Sequence, residues 1–309
     1  MLVSFVIPCY RSAHTIRGVV EELNGAMAQM PAYECEFVLV NDCSPDDTFE
    51  VLRDMAENDE RVTAVDLAKN FGQHAAIMAG LRHSAGEIVV CLDDDGQTPG
   101  DEAGKLIRKL EEGYDVVYAE YAHKQHAAWR NFGTVLNNRM TEIMLGKPRE
   151  LTITSYFAMR RFIVEEMLVY KNCYPYVEGL ILRATRRIGT VPVQHRAREE
   201  GESGYTLVKL FSLWMNGFTS FSVKPLRIAT YCGASAALIG FIYLIVILVK
   251  HFIDSSIPEG WASTMALMLL LGGIILLVLG MIGEYIGRIY MCINASPQYV
   301  ERQVIRKRG

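Results

Sequence analysis

Two rhythms of apolar and polar positions alternate over the first 120 residues of this 309-residue chain. Continuous apolar runs of strand length recur in VSFVIP, EFVLVND, RVTAVDL, EIVVCLDD and DVVYAE, the pattern of strands buried on both faces. Between them TIRGVVEELNGAM, DTFEVLRDMAEN, GQHAAIMAGLRHS and GDEAGKLIRKLEEG carry apolar residues at helical spacing, as helices with one buried face do. The alternation predicts an α/β fold, with helices packed on a mainly parallel, Rossmann-like sheet. Beyond residue 121 the rhythm loosens. Helices are expected near 130–145, 161–170 and 202–222, with a strand near 188–195.

The pattern then changes in kind. Ile228 to Val249 is a run of 22 residues without Asp, Glu, Lys, Arg or His, and Trp261 to Gly283 is another of 23. Each is long enough to cross a bilayer as a helix. Only 11 residues, Lys250 to Gly260, connect them, so the two runs predict a transmembrane hairpin. Lys209, Lys224 and Arg227 precede it and Arg288, Arg306, Lys307 and Arg308 follow it, against a single Lys250 in the turn. That bias places the N-terminal domain and the tail in the cytoplasm. Leu207, Leu210, Phe211, Trp214, Phe218 and Phe221 recur at mostly helical spacing just before the hairpin, which suits a helix lying in the membrane interface. The expected organisation is a globular domain over 1–200, interfacial helices over 201–226, two spans within 227–284 and a tail over 285–309. Small residues in the spans (Gly233, Ala234, Ala236, Ala237 and Gly240; Gly272, Gly273, Gly280 and Gly283) permit close helix approach and predict a homo-oligomer.

Composition narrows the function classes. The formal charge is −4 and no basic stripe with interleaved aromatics occurs, so nucleic acid is not an expected partner. Seven cysteines without a CxxC pair read as reduced core residues. No charged segment with a cleavage site precedes the first strand, so no signal peptide is expected.

The chemistry concentrates where predicted strands end. VVCLDDDGQTPG releases Asp93, Asp94 and Asp95 together, and adjacent carboxylates need open water or a cation nearby. In an α/β sheet ligands sit outside the carboxyl ends of the strands. There Asp93 and Asp95, separated by one residue, can converge on one hard cation, Mg²⁺ or Mn²⁺, that keeps positions free for a diphosphate. IPCY places Pro8 and Tyr10 after the first strand, where a ring could stack on a base. NDCSPDD places Asp42 after the second, where a carboxylate could accept from base or ribose.

These segments, with NFGQHAAIMAGL, RRFIVEEML, EEGESGYTLVKL, KPLR and IGEYIGRIY, resemble the family 2 glycosyltransferases of GT-A fold. Within that family the resemblance is to polyprenyl-phosphate glycosyltransferases related to dolichol-phosphate mannose synthases and bacterial undecaprenyl-phosphate sugar transferases. It runs over almost the whole chain. It implies a multi-pass inner-membrane enzyme, a tetramer by analogy in the expected homo-oligomer, that moves a sugar from a nucleotide donor, a UDP-sugar, to a polyprenyl phosphate among membrane lipids. It implies further that Pro8, Tyr10, Asp42, Asp93 and Asp94 serve the nucleotide and that Asp93 and Asp95 hold the metal, with Asp95 catalytic. Gln97, Arg198 and Ser203 are placed by it at the donor or lipid phosphate.

The chain also departs from these relatives. Tyr10 is followed by Arg11 and Ser12 where many have Asn and Glu. The segment before TSYFAMRR, in which relatives commonly carry an Asp, reads Glu150-Leu151-Thr152-Ile153-Thr154-Ser155 here. Glu150 and Glu178 are the remaining candidates for a carboxylate base. An ionised phosphate acceptor depends less on such a base than a sugar hydroxyl does, and more on alignment and charge. The rival readings are a catalytically silent subunit that binds a nucleotide sugar or lipid, and a processive polysaccharide synthase; the second lacks its QxxRW motif here.

Overall fold

The computed structural model describes residues 1–121, 151–194 and 260–307, and isolated positions between 231 and 245. The expected helices near 130–145 and 202–222, the interfacial segment and most of the first apolar run lie outside the described residues. The chain divides into two units, 1–211 with 295–309, and 212–294.

In the first unit the two rhythms become alternating elements: β1 (Leu2–Cys9), α1 (Ile16–Ala28), β2 (Glu34–Asn41), α2 (Thr48–Asn58), β3 (Val62–Leu67), α3 (Gln73–His83) and β4 (Ile88–Cys91). A 3₁₀ turn (Gly100–Glu102) leads into α4 (Ala103–Glu111). Then come β5 (Val116–Tyr121), β6 (Phe157–Arg160), α5 (Arg161–Val169), α6 (Val177–Ala184) and β7 (Ile188–Val193). The strands form one sheet of order β7-β5-β6-β4-β1-β2-β3-β8, where β8 is Glu301–Arg306. The β1–β2, β1–β4, β2–β3 and β5–β7 pairs are parallel, and β6 lies antiparallel between β4 and β5. Phe5, Ile7, Phe37, Leu39, Val90 and Val117 fill the core with α1, α2 and α4.

On the opposite face α3 lies very close to the sheet. A Cβ added at Gly80 would sit 2.4 Å from Val6 Cγ1 and 3.1 Å from Val40 Cγ2, so glycine is required by space rather than by backbone angle. Gly80→Ala is therefore expected to lower stability. Overpacking costs about 1–3 kcal/mol, which exceeds the gain of about 1 kcal/mol from better helix propensity. Thermal melting checks this, and an unchanged or raised Tm contradicts the close approach.

Two elements differ from the sequence expectation. Helix α6 was not anticipated, because VEGLILRA is short and bounded by ordinary loop residues. The tail is not a free extension either: residues 301–306 pair antiparallel with β3, from Thr63 opposite Arg306 to Leu67 opposite Glu301. Its alternation is weak because a strand at a sheet edge buries little of its own surface.

The second unit contains α7 (Trp261–Ile293), which continues ten residues past the expected end at Gly283. Its window from Leu271 to Ile293 has a mean hydropathy of 1.7 and is 0% buried. By length and composition this helix is able to cross a membrane. Tyr231, Gly233, Ser235, Leu238, Ile242 and Ile245 of the first apolar run are also helical. Among the described residues Cys9, Cys35, Cys43 and Cys91 are free thiols.

Candidate active site

The carboxyl ends of β1, β2 and β4 and the first turn of α3 meet in one place. The three adjacent carboxylates after β4 avoid one another by turning to separate donors. Asp93 accepts from Gln73 Nε2 (2.8 Å) on one oxygen and from the Ser155 hydroxyl on the other. Asp94 Oδ2 accepts from the Tyr10 backbone N–H at 2.9 Å, and its carbonyl accepts from Thr15 Oγ1 at 2.6 Å. Asp95 Oδ1 accepts from the Gln97 N–H at 3.1 Å, in a turn that Gly96 closes with φ of 71°. Asp94 thus ties the loop after β1 to the loop after β4, Asp93 has a donor on each oxygen, and Asp95 keeps Oδ2 without a donor among the described residues.

Burial pushes the Asp93 carboxyl up to about 6; Asp95 and Asp94 add to the rise, against the donations from Ser155 and Gln73. Burial likewise raises Asp94, opposed by its hydrogen bond from Tyr10. This is the electrostatics of a site short of positive charge. Two hard oxygen donors leave the other positions of a Mg²⁺ or Mn²⁺ ion to diphosphate oxygens and water. Among the described residues no three His, Cys, Asp or Glu side chains form a closed metal cage. The donor set therefore suits a cation that a substrate completes.

The raised carboxyl has a consequence for stability. An Asp near 3.9 in the unfolded chain and near 6 in the fold binds its proton more tightly when folded. Its contribution is fully present below about 4 and is lost as pH rises through about 6. Metal-free protein is expected to lose stability across that window, and Mn²⁺, which binds the ionised form, to restore it above about 6. Melting curves with and without Mn²⁺ between pH 4.5 and 8 test the sign; a Mn²⁺-induced rise in Tm as large at the acid end as at the neutral end contradicts it.

The other candidates fall in different places. Tyr10 is 46% exposed, with the Arg11 guanidinium carbon 5.6 Å from its ring centroid. Arg11 itself sits at φ of 59°, its N–H on Ser44 Oγ. Pro8 is buried at the end of β1, beyond Val6, the last residue pairing with β4. Asp42 is only 4% exposed and holds the turn that leads into α3, accepting from the Phe71 N–H (2.7 Å) and the Gly72 N–H (2.8 Å). Its first partner is the protein backbone, and a base or ribose would have to share those oxygens. Glu178, in the first turn of α6, faces His74 of α3, Oε2 to Nδ1 at 3.6 Å. Glu150, Arg198 and Ser203 lie outside the described residues.

Sequence reasoning missed Gln73, His74 and Ser155. Gln73 and His74 stand in NFGQHAAIMAGL, but nothing in their spacing ties them to residues twenty or a hundred positions away. Ser155 occupies the segment read for its missing Asp; it brings a hydroxyl onto Asp93 where a carboxylate would have repelled it.

Comparison with known proteins agrees with this geometry. The profile described as Glycosyl transferase family 2 matches residues 4–168, and one described as GtrB C-terminal hairpin matches residues 224–289. The undecaprenyl-phosphate 4-deoxy-4-formamido-L-arabinose transferase of Klebsiella pneumoniae is 33% identical over 311 aligned residues, covering 99% of this chain and 94% of its own. An uncharacterized glycosyltransferase of Bacillus subtilis, YkcC, is 35% identical over 299 residues, covering 96% of this chain and 92% of its own. Among solved structures, glucosyl-3-phosphoglycerate synthase of Mycobacterium tuberculosis superimposes with a TM-score of 0.52 at 16% identity, over 69% of this chain and 77% of that one. The same enzyme solved with Mn²⁺ and UDP-glucose also gives 0.52, over 71% and 77%; at such identity the likeness is one of fold. Sheet order, paired carboxylates, profile and near full-length similarity converge, and the chain belongs to the family 2 glycosyltransferases, enzymes of GT-A fold.

Proposed function

We infer that the chain moves a sugar from a UDP-sugar to the phosphate of a polyprenyl phosphate at a membrane surface. The observation that carries this reading is the Asp93–Asp95 pair at the carboxyl edge of the sheet, in a chain that also contains an exposed apolar helix of membrane length. The relatives named for undecaprenyl phosphate support the acceptor. In this reading the Tyr10 ring is the open stacking surface for the base, and Asp94 fixes its backbone. Asp93 and Asp95 hold the diphosphate through a divalent ion, which when bound would neutralise charge on the leaving group. Gln97, Arg198 and Ser203 serve the phosphates.

Attachment by two crossings is supported by β8. Residues before and after the hairpin lie in one sheet, so the chain between them must return to the side it left. One crossing by α7 then requires a second, and the run from Ile228 to Val249 is its candidate. The excess of Lys and Arg outside the hairpin puts the sheet on the cytoplasmic side. The homo-oligomer is supported by small residues with open surroundings, since a Cβ at Gly272, Gly273, Gly280 or Gly283 would meet nothing within 4 Å.

The test is mass spectrometry of lipid products after incubation with a panel of UDP-sugars and a polyprenyl phosphate. A glycosyl phosphate lipid from one donor is expected; donor hydrolysis without lipid product removes the acceptor from the proposal.

A further inference from the structure

Among the described residues four buried side-chain atoms have no hydrogen-bond partner: Ser12 Oγ, two residues from Tyr10, and His74 Nδ1, Glu178 Oε2 and the Tyr118 hydroxyl. The last three belong together. His74 Nδ1 and Glu178 Oε2 are 3.6 Å apart, just beyond hydrogen-bond length. The Tyr176 ring meets the imidazole edge-on, with centroids 5.2 Å apart and planes at 80°. Burial raises the Tyr118 and Tyr176 hydroxyls, and the Glu178 charge is the next cause for both. The cluster adjoins the metal carboxylates from two directions. His74 follows Gln73, whose amide holds Asp93. Tyr118 of β5 and Cys91 of β4 both lie opposite Phe157 of β6, so they share a sheet face, and Asp93 is two residues past Cys91.

An ion pair that served only to join α3 to α6 would be expected to close to contact and satisfy its buried atoms. This one leaves Nδ1 and Oε2 enclosed and slightly apart, while the His74 side chain as a whole keeps 24% of its surface open. Nδ1 is enclosed, so that open surface lies on other atoms of the side chain. A carboxylate behind one ring nitrogen sets the tautomer and aims the other nitrogen outward. Polar pairs of this kind are often long in the empty enzyme and tighten when substrate arrives.

We propose that His74 is a binding residue for the acceptor, its Nε2 contacting the phosphate monoester of the lipid, and that Glu178 is the residue that positions it. The proposal rests on the function inferred above and adds the group that receives the acceptor. The chemistry favours a monoester over the donor diphosphate. An imidazole nitrogen can accept from P–OH or donate to P–O⁻, and a monoester offers both kinds of group, whereas the donor diphosphate's charge is met by the cation. Glu178, one of two carboxylates considered as a base, in this arrangement acts through the imidazole.

The experiment uses full-length protein in detergent micelles with farnesyl phosphate as the acceptor probe, bound in calorimetry without donor, and UDP with Mn²⁺ as the donor-side probe. His74→Ala is expected to weaken farnesyl phosphate binding and raise the acceptor KM by about 10-fold or more, as loss of a hydrogen bond to a charged group does. UDP·Mn²⁺ binding should stay within about two-fold. His74→Gln, which keeps a hydrogen-bonding end, should recover part of the loss, and Glu178→Ala should reproduce part of it. Unchanged farnesyl phosphate binding in His74→Ala overturns the proposal. Equal losses of farnesyl phosphate and UDP binding in all three variants also overturn it, assigning the pair to the framework of the donor site. A selective loss of UDP binding assigns His74 to the donor diphosphate and overturns it too. Wild-type protein that binds farnesyl phosphate through His74 yet glycosylates no polyprenyl phosphate sinks the inferred reaction and leaves the binding site standing.

Discussion

Asp95→Ala is expected to lower single-turnover sugar transfer by on the order of 10³-fold, the largest effect of any single substitution among the described residues. The reason lies in how the three carboxylates divide their work. Asp93 already receives Gln73 and Ser155, and Asp94 is turned toward Tyr10. Among the described residues Asp95 receives only the Gln97 N–H on Oδ1, so its charge is the one most available to a cation on the donor diphosphate. Losing metal-centred stabilisation of a leaving phosphate removes several kcal/mol from the transition state, and about 1.4 kcal/mol corresponds to each factor of ten. Asp93→Ala should be strongly impaired but less so, because Gln73 and Ser155 remain at the site as neutral donors. Asp94→Ala should instead weaken UDP binding, since it frees the Tyr10 backbone. The measurements are single-turnover rates with a Mn²⁺ titration for each variant. If Asp95→Ala transferred at the wild-type rate and wild-type enzyme were indifferent to a chelator, the paired-carboxylate account would be wrong.

Much of this arrangement was legible in the sequence, and what was not has a common cause. The strands through β5 and helices α1 to α4 follow from periodicity, because each buries a full face and apolar spacing records that burial directly. The placement of Asp93 and Asp95 at a strand end follows from the same pattern. The partners of those carboxylates do not. Gln73 reaches Asp93 across 20 positions and Ser155 across 62, and only the sheet order brings them together. Asp42 illustrates the converse: a carboxylate after a strand reads as a ligand contact, yet here it holds the turn before α3, thirty residues on, and the sequence does not say which demand comes first. For β8 the local pattern is too weak, because QVIR between charged neighbours has only two side chains to bury.

Removing β8 tests the element that sequence reading treated as a tail. Truncation after Ile293 is expected to lower Tm sharply and to weaken UDP binding, although residues 294–309 contain no proposed ligand contact. The strand does more than cover the edge of β3. His83 Nε2 and Glu301 Oε1 are 3.0 Å apart, the Arg306 guanidinium donates to the His83 carbonyl, and Gln298 donates to the Tyr170 carbonyl. Arg302 lies 3.4 Å from Asp66, which is 2% exposed and accepts from Asn41 Nδ2 at 2.8 Å. Asn41 Oδ1 in turn accepts from the Ser44 N–H, and Ser44 Oγ from the Arg11 N–H, beside Tyr10. A line of hydrogen bonds therefore runs from the strand after the apolar helix to the loop that presents the base-stacking ring. Arg302→Ala isolates that line. The Arg302 side chain is 57% exposed, so solvent screening limits its loss to about 1 kcal/mol or less, a fall in Tm of about 2–4 °C for a domain of this size. The full truncation also strips the ladder hydrogen bonds from β3 and should cost several times more. Both variants are read by melting in detergent and by UDP·Mn²⁺ calorimetry. A truncated protein with wild-type Tm and UDP affinity would return these residues to the status of a tail; a fall in Tm with UDP affinity intact would keep β8 as an edge strand and break its connection to the nucleotide loop.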